Sequence, residues 1–258
     1  MRLVSFDPLR SVEIPGAYPL KADSWILHKD KIIAADWLLF PEYWQINALV
    51  YGLKKRIFPN INSYHLGHNK VEMTRALQSI CPENFPDTLI LPSVEGVRAK
   101  ILDHFCFPFV AKTIKSSMGR GVYLIEDHEQ LEKYIRENEV IYIQELLPIK
   151  RDIRVVYIGD SVVTAYWRTA AKGAFHNNVA RGGTISFEDV PSEALKLVER
   201  VAAELGINHA GFDIAEAGGH FFFLEFNIKF GNQALNEKGI RAGKIILDYL
   251  KKTAPEVL

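Results

Sequence analysis

The sequence predicts an α+β fold, α/β in the broad sense, in which helices lie on antiparallel sheets. Three patterns predict it. Ile153–Ile158 and Ser161–Arg168 are alternating runs joined by Gly159-Asp160, a tight-turn pair. Gly211–Glu216 and His220–Asn227 repeat the arrangement across Ala217-Gly218-Gly219. Ser192–Leu205 sets Leu195, Val198, Val201, Ala202 and Leu205 on one helical face, between Pro191 and Gly206.

The elements follow in order. Residues 1–65 begin with an apolar run at Leu3–Phe6, then strand-like Ser24–Leu27 and Lys31–Ala35, then the aromatic-rich Asp36–Trp44, whose rings suit core packing. Asn69 caps a helix through Gln78 that Pro82 and Pro86 end. Phe109–Ile114 and Gly121–Glu126 form a hairpin with a long tip, Lys115–Arg120. His128–Asn138 has Leu131, Tyr134 and Ile135 at helical spacing, Val140–Leu147 is a strand, and a helix from about Asn236 to Lys252 closes the chain. This divides into lobes at 1–65, 66–140 and 141–258.

With 258 residues, 48% of them hydrophobic, the chain can bury a large core or two to three small ones. Its 31 Lys and Arg balance 31 Asp and Glu, which excludes a strongly basic nucleic-acid-binding surface. No apolar run approaches the roughly 18–20 residues a membrane span needs, and Asp7 stands where a secretory signal would stay apolar. A cytoplasmic protein with no membrane or nucleic-acid partner is expected. Cys81 and Cys106 are too few for a disulfide framework or a zinc cluster.

Alternation along His220–Asn227 puts Glu225 and Asn227 on one face, and a reversal near Gly218-Gly219 sets Asp213 opposite Glu225. Opposed carboxylates repel unless a cation lies between them, and this all-oxygen set suits magnesium rather than zinc or copper. Lys112 interrupts an apolar strand and calls for an anion. Beside it, the small residues of Ser116–Gly121 allow backbone amides to approach phosphate, although no helix follows as in a Walker or Rossmann turn. Arg154, Arg168 and Arg181 add planar donors suited to phosphate or carboxylate.

Over residues 66–250 this ordered set resembles the ATP-grasp superfamily, and within it the RimK-like ligases. Its elements are Asn69-Lys70 with Thr74, Phe85–Thr88, Phe109–Lys112, Ser117–Val122, Gln144–Leu147, Arg151–Val155, Arg168, Asn178 with Arg181–Gly183, Gly211–Asp213 and Leu224–Asn227. The resemblance implies two α+β lobes gripping ATP behind a short N-terminal lobe. It places Lys70, Lys112, Ser117, Gly119 and Gly121 at the phosphates, Glu145 and Leu146 at the adenine, and Asp152 at the ribose. Asp213, Glu225 and Asn227 would hold Mg²⁺, with Mn²⁺ as a substitute, while Asn178, Arg168 and Arg181 serve catalysis and the acceptor. His176, Ser116-Ser117 and Phe230 depart from the usual pattern and bear on substrate choice.

The activity implied is ATP-dependent formation of an amide or peptide bond through an acyl phosphate, joining a small-molecule or peptide carboxylate to an amine. The glycine-containing tip would close over ATP, and relatives suggest a homo-oligomer. An ATP-grasp kinase, a carboxylate–thiol ligase or a non-catalytic nucleotide binder are the alternatives.

Overall fold

Residues 1–115, 121–169 and 183–253 are described by the computed structural model, and they build three sheets. The first contains β1 (Leu3–Ser5), β2 (Ala17–Pro19), β3 (Trp37–Leu39) and β4 (Ile57–Phe58), all parallel, in the order β2-β1-β3-β4. Ser24–Leu27 and Lys31–Ala35 are not strands: Ala22–His28 is a 3-10 helix and Lys29–Ala34 an α-helix. Ile32 alone of the α-helix is buried while Ile26, Leu27 and Ile33 face solvent, so a β-branched pair mimics a strand although one member never enters the core. Trp37 to Phe40 are buried as expected, whereas Tyr43 and Trp44 are exposed.

The second sheet contains β5 (Thr88–Pro92), β6 (Phe109–Lys112), β7 (Val122–Ile125) and β8 (Val140–Glu145), in the antiparallel order β5-β8-β6-β7. Phe109, Ala111, Ile141 and Ile143 meet Ile101 and Leu131 from the helices Val97–His104 and His128–Glu137. Because β8 pairs on both sides through Gln144, this sheet runs on to Glu145, past the boundary expected at 140.

The third sheet contains β9 (Arg151–Ile158), β10 (Ser161–Thr169), β11 (Thr184–Ser186), β12 (His209–Ala217) and β13 (His220–Asn227), in the order β11-β10-β9-β12-β13. Ile153, Val155, Tyr157, Phe212 and Ile214 face one way, onto Val198 and Val201 of the helix Ser192–Glu204 and Met73 and Leu77 of the helix Lys70–Ile80. Full burial of a residue such as Leu77 is worth about 1.5–3 kcal/mol, which anchors Lys70 at the helix start. Val156, Ile158 and Tyr166 face the other way, onto Phe230 and Ile246.

The last helix is two pieces, Gln233–Glu237 and Ala242–Lys252, because Gly239 turns at φ +67° between them. Among the described residues, no helix is long and apolar enough to cross a membrane.

Candidate active site

The hairpin of β12 and β13 places Asp213 directly opposite Glu225. Past that pair the register shifts, so Ile214 faces Phe223 and Leu224 is left over as a bulge. The extra residue lets Phe223 and Phe226, three positions apart, both enter the core. Glu225 and Asn227 lie half-buried on the opposite face, where Asn227 Nδ2 donates to Glu225 Oε1 at 3.1 Å.

Strand β9 brings Arg154 into register with Asp213 from the other side. Arg154 Nε donates to Asp213 Oδ1 and Nη2 to Oδ2, the latter at 3.0 Å. Arg168 Nη2 is 2.9 Å from Asp213 Oδ1, while its Nε and Nη2 donate to the two oxygens of Asp152 at 2.7 and 2.9 Å. Burial by itself would raise the Asp213 pKa, but Arg154 and then Arg168 outweigh it and hold the carboxyl below its ordinary value. Asp152, with its lesser share of guanidinium charge, is pushed up by its burial.

Two expectations change here. The facing acids need no metal to coexist, because arginines neutralise Asp213 and Lys70 Nζ stands 3.3 Å from Glu225 Oε2. Asp152, expected at a ribose, is only 5% exposed and gives both oxygens to Arg168.

Lys112 is fully enclosed at the end of β6. Its Nζ donates to Gln144 Oε1 at 2.7 Å, and Gln144 Nε2 donates to Thr88 Oγ1 at 2.9 Å. The Tyr142 ring lies 5.7 Å from the same ammonium. Burial lowers the Lys112 pKa to about 8; Glu225 opposes that shift, Lys70 adds to it and Asp213 opposes it again. Both lysines therefore lie in the field of the acidic hairpin, although they come from different elements. The backbone joins them, since Lys70 N–H donates to the Ile114 carbonyl at 3.1 Å.

Next to Gln144 at the end of β8, Glu145 exchanges two bonds with Asp87. Its N–H donates to the Asp87 carbonyl, and its Oε1 accepts from the Asp87 N–H, both at 2.9 Å. Leu146 comes next, half-buried. Gly121, at φ +72°, accepts from Thr113 N–H at 2.7 Å at the base of the glycine hairpin. Ser117, Gly119, Asn178 and Arg181, like His176, lie outside the described residues.

The oxygen set of Asp213, Glu225 and Asn227 is two carboxylates and an amide; among the described residues no three His, Cys, Asp or Glu side chains gather closely enough to hold a metal. Hard oxygens on an anionic face fit magnesium in kind, with Glu225 and Asn227 the more open donors. Sequence reasoning did not assign site roles to Gln144 or Tyr142, whose hydroxyl meets Thr74 Oγ1 at 2.8 Å. Arg154 carried a signal, standing two positions after Asp152 on one strand face, but its partner lies on a strand that no turn connects to it.

A probable alpha-L-glutamate ligase from Chromohalobacter salexigens is 31% identical over 182 residues, covering 67% of this chain and 56% of the relative. The chain thus spans about half the length of the curated relatives it matches. The crystal structure of a RimK domain ATP-grasp protein from Sphaerobacter thermophilus superposes with a TM-score of 0.65 at 18% identity, over 84% of this chain and 81% of that one. A D-alanine–D-alanine ligase from Bacillus anthracis, solved with ATP, gives a TM-score of 0.73 at 16% identity, over 100% and 98%. These likenesses show an ATP-grasp fold. Residues 70–250, which include both lysines, the charged sheet face and the acidic hairpin, match the RimK-like ATP-grasp domain, and the chain belongs to that family.

Proposed function

We propose that the protein is an ATP-dependent carboxylate–amine ligase that adds an amino acid, glutamate or a close relative, to a small-molecule or peptide carboxylate. The convergence of Lys70 and Lys112 on Glu225, opposite Asp213, carries this proposal. A triphosphate needs cations on both flanks, and these lysines stand on separate elements around one face. Lys112 is held by a neutral amide rather than an acid, which leaves its charge available to phosphate.

In this assignment the substrate carboxylate attacks the γ-phosphate, giving an acyl phosphate and ADP; the amine then attacks the acyl carbon and phosphate departs. Phosphorylation supplies the leaving group that a carboxylate lacks, so the protein needs no side-chain nucleophile. Lys70 and Lys112 hold phosphate oxygens, with Ser117, Gly119 and Gly121 beside them. Glu145 and Leu146, at the end of β8, take the adenine. Asp213, Glu225 and Asn227 would hold magnesium, which supplies charge neutralisation at the phosphates. Asn178 would lie near the phosphates and Arg181 would line the acceptor region. Arg168 works through Asp213 and Asp152, its partners in the fold, and keeps Asp213 ionised.

The name of the Chromohalobacter relative supports glutamate as the amine. ADP release is the assay, screened against pooled amino acids, dipeptides and small acids, with Asp213→Asn as the blank. Release that depends on both a carboxylate and an amine is expected. Release with a hydroxyl or thiol acceptor alone would overturn the ligase assignment.

A further inference from the structure

The ladder between β12 and β13 ends at Gly211 and Asn227, and beyond Asn227 the chain leaves the sheet as a non-helical segment, Ile228–Gly231. His209, two residues before Gly211, continues the fastening with its side chain. Its Nδ1 lies 2.9 Å from the Ile228 carbonyl, which can only accept, so Nδ1 carries the proton. The ring is 3% exposed, stacks on Phe230 at 4.7 Å and meets Phe40 and Phe58 edge-on. Burial, and then Arg10, push its pKa down to about 3, so the imidazole is neutral throughout the physiological range.

The N-terminal lobe grips the same segment twice. Arg10 Nη1 donates to the Phe230 carbonyl at 3.0 Å, and Lys229 Nζ donates to Glu42 Oε1 at 3.0 Å. Glu42 and Lys229 are both well exposed, so that pair contributes little. The bonds to the backbone carbonyls matter more, because they fix main-chain atoms within three residues of Asn227. A fourth wall is the helix Ile61–His68, where Gly67 has no room for a methyl: an added Cβ would stand 2.9 Å from Ile228 Cγ2.

We propose that His209 and Arg10 are positioning residues that hold the Ile228–Gly231 segment, and through it Asn227 and Glu225, in the geometry that receives the metal–nucleotide. The proposal rests on the nucleotide-site assignment above. It makes the N-terminal lobe a supporting part of the metal end of the site, through hydrogen bonds to main-chain carbonyls that any side chain could follow. It also gives Phe230 a part, since its ring stacks on the imidazole whose N–H is committed next door.

Manganese binding in the presence of ADP, followed through the free-ion resonance signal, tests it without turnover. His209→Phe keeps an aromatic ring and loses the donor; His209→Asn loses the ring and keeps an N–H that reaches the carbonyl. The half-saturating manganese concentration should rise about tenfold in His209→Phe and stay within about twofold in His209→Asn. The reverse order, or no change in His209→Phe, overturns the positioning role. Should His209→Phe fail to fold, Arg10→Met and its conservative partner Arg10→Lys carry the same comparison, with the rise expected in Arg10→Met alone; an unchanged Arg10→Met overturns the role. A wild-type protein that binds no manganese with ADP overturns the nucleotide assignment itself, which is a different result from wild-type binding that the variants leave untouched.

Discussion

Asp213 and Glu225 face each other across one ladder pair yet are neutralised from opposite sides, Asp213 by Arg154 and Arg168 and Glu225 by Lys70. The two facing acids are thus flanked by cations, Arg154 and Arg168 beyond Asp213 and Lys70 beyond Glu225, which makes a dense acidic patch compatible with a folded protein before any ligand arrives. Nucleotide would enter a site whose charges are already paired, and binding would be an exchange of partners.

Asp213→Ala should therefore cost the ligand-free protein about 3–5 kcal/mol, because it leaves two buried guanidinium groups sharing a single acid. Urea denaturation at neutral pH measures this, and a loss below about 1 kcal/mol would show that the arginines find other partners. The pH dependence has a definite sign. The folded Asp213 pKa lies below its ordinary 3.8, so its stabilisation is present above 3.8 and disappears as pH falls through the lower folded value. In wild type this is part of acid unfolding; in the alanine variant that part should be absent.

Lys112 predicts a proton exchange. With a folded pKa near 8 against an ordinary 10.5, it is partly neutral in the ligand-free protein at pH 8.5. Phosphate oxygens favour the charged form, so nucleotide binding at that pH should take up a fraction of a proton. Calorimetry in buffers of different ionisation enthalpy reads it directly, and Lys112→Met, whatever affinity remains, should show none. The same depressed pKa destabilises the ligand-free fold: between 10.5 and 8 the unfolded chain holds the extra proton, stability rises with pH, and below 8 the penalty is constant at roughly 3 kcal/mol. Lys112→Met should accordingly be the more stable protein at pH 7 without nucleotide, a gain that loss of packing would oppose.

Thr164 offers a change far from any assigned role. Its Oγ1 is buried with no hydrogen-bond partner among the described residues, beside the register shift in β10. Thr164→Val removes the hydroxyl and keeps the shape, and should stabilise the protein by about 1 kcal/mol, seen as a raised urea midpoint with an unchanged slope. A destabilised valine variant would show that the hydroxyl is satisfied in solution.

The opposition of Asp213 and Glu225 is legible in the sequence to within one residue, because the two-glycine turn sets Ala217 opposite His220 and that register, carried outward, brings Asp213 to Leu224. The bulge at Leu224 supplies the last step, moving Glu225 opposite Asp213 and Phe226 onto the core face, and no local signal in the strand marks it. Lys112 is legible as a buried cation, but Gln144, its partner, is an ordinary polar residue until β8 is known to lie beside β6. The partner of Arg154 is hidden for the same reason: β9 and β12 pair across the long connection from Ile158 to His209, and no local signal fixes such a register. Near the N-terminus the strand-like Ser24–Leu27 is helical: Ile26 and Leu27 stay in solvent and exert no pull toward a sheet, and only Trp25 packs against the core.

Gly211 ties the charged row to the Ile228–Gly231 segment, and its substitution is the sharpest test of the shared geometry. It pairs with Asn227, and an added Cβ would stand 2.8 Å from Arg154 Nη1, 3.1 Å from Arg154 Cδ and 3.2 Å from Phe230 Cβ. The Arg154 guanidinium cannot retreat without loosening its two bonds to Asp213, and Phe230 cannot retreat without leaving His209. Gly211→Ala should cost about 1–3 kcal/mol of stability through overpacking and should weaken manganese–ADP binding by more than Thr164→Val alters it. If calorimetry finds the alanine variant binding as wild type does, Arg154 has swung aside without disturbing the acids, and the row is not the rigid unit described above.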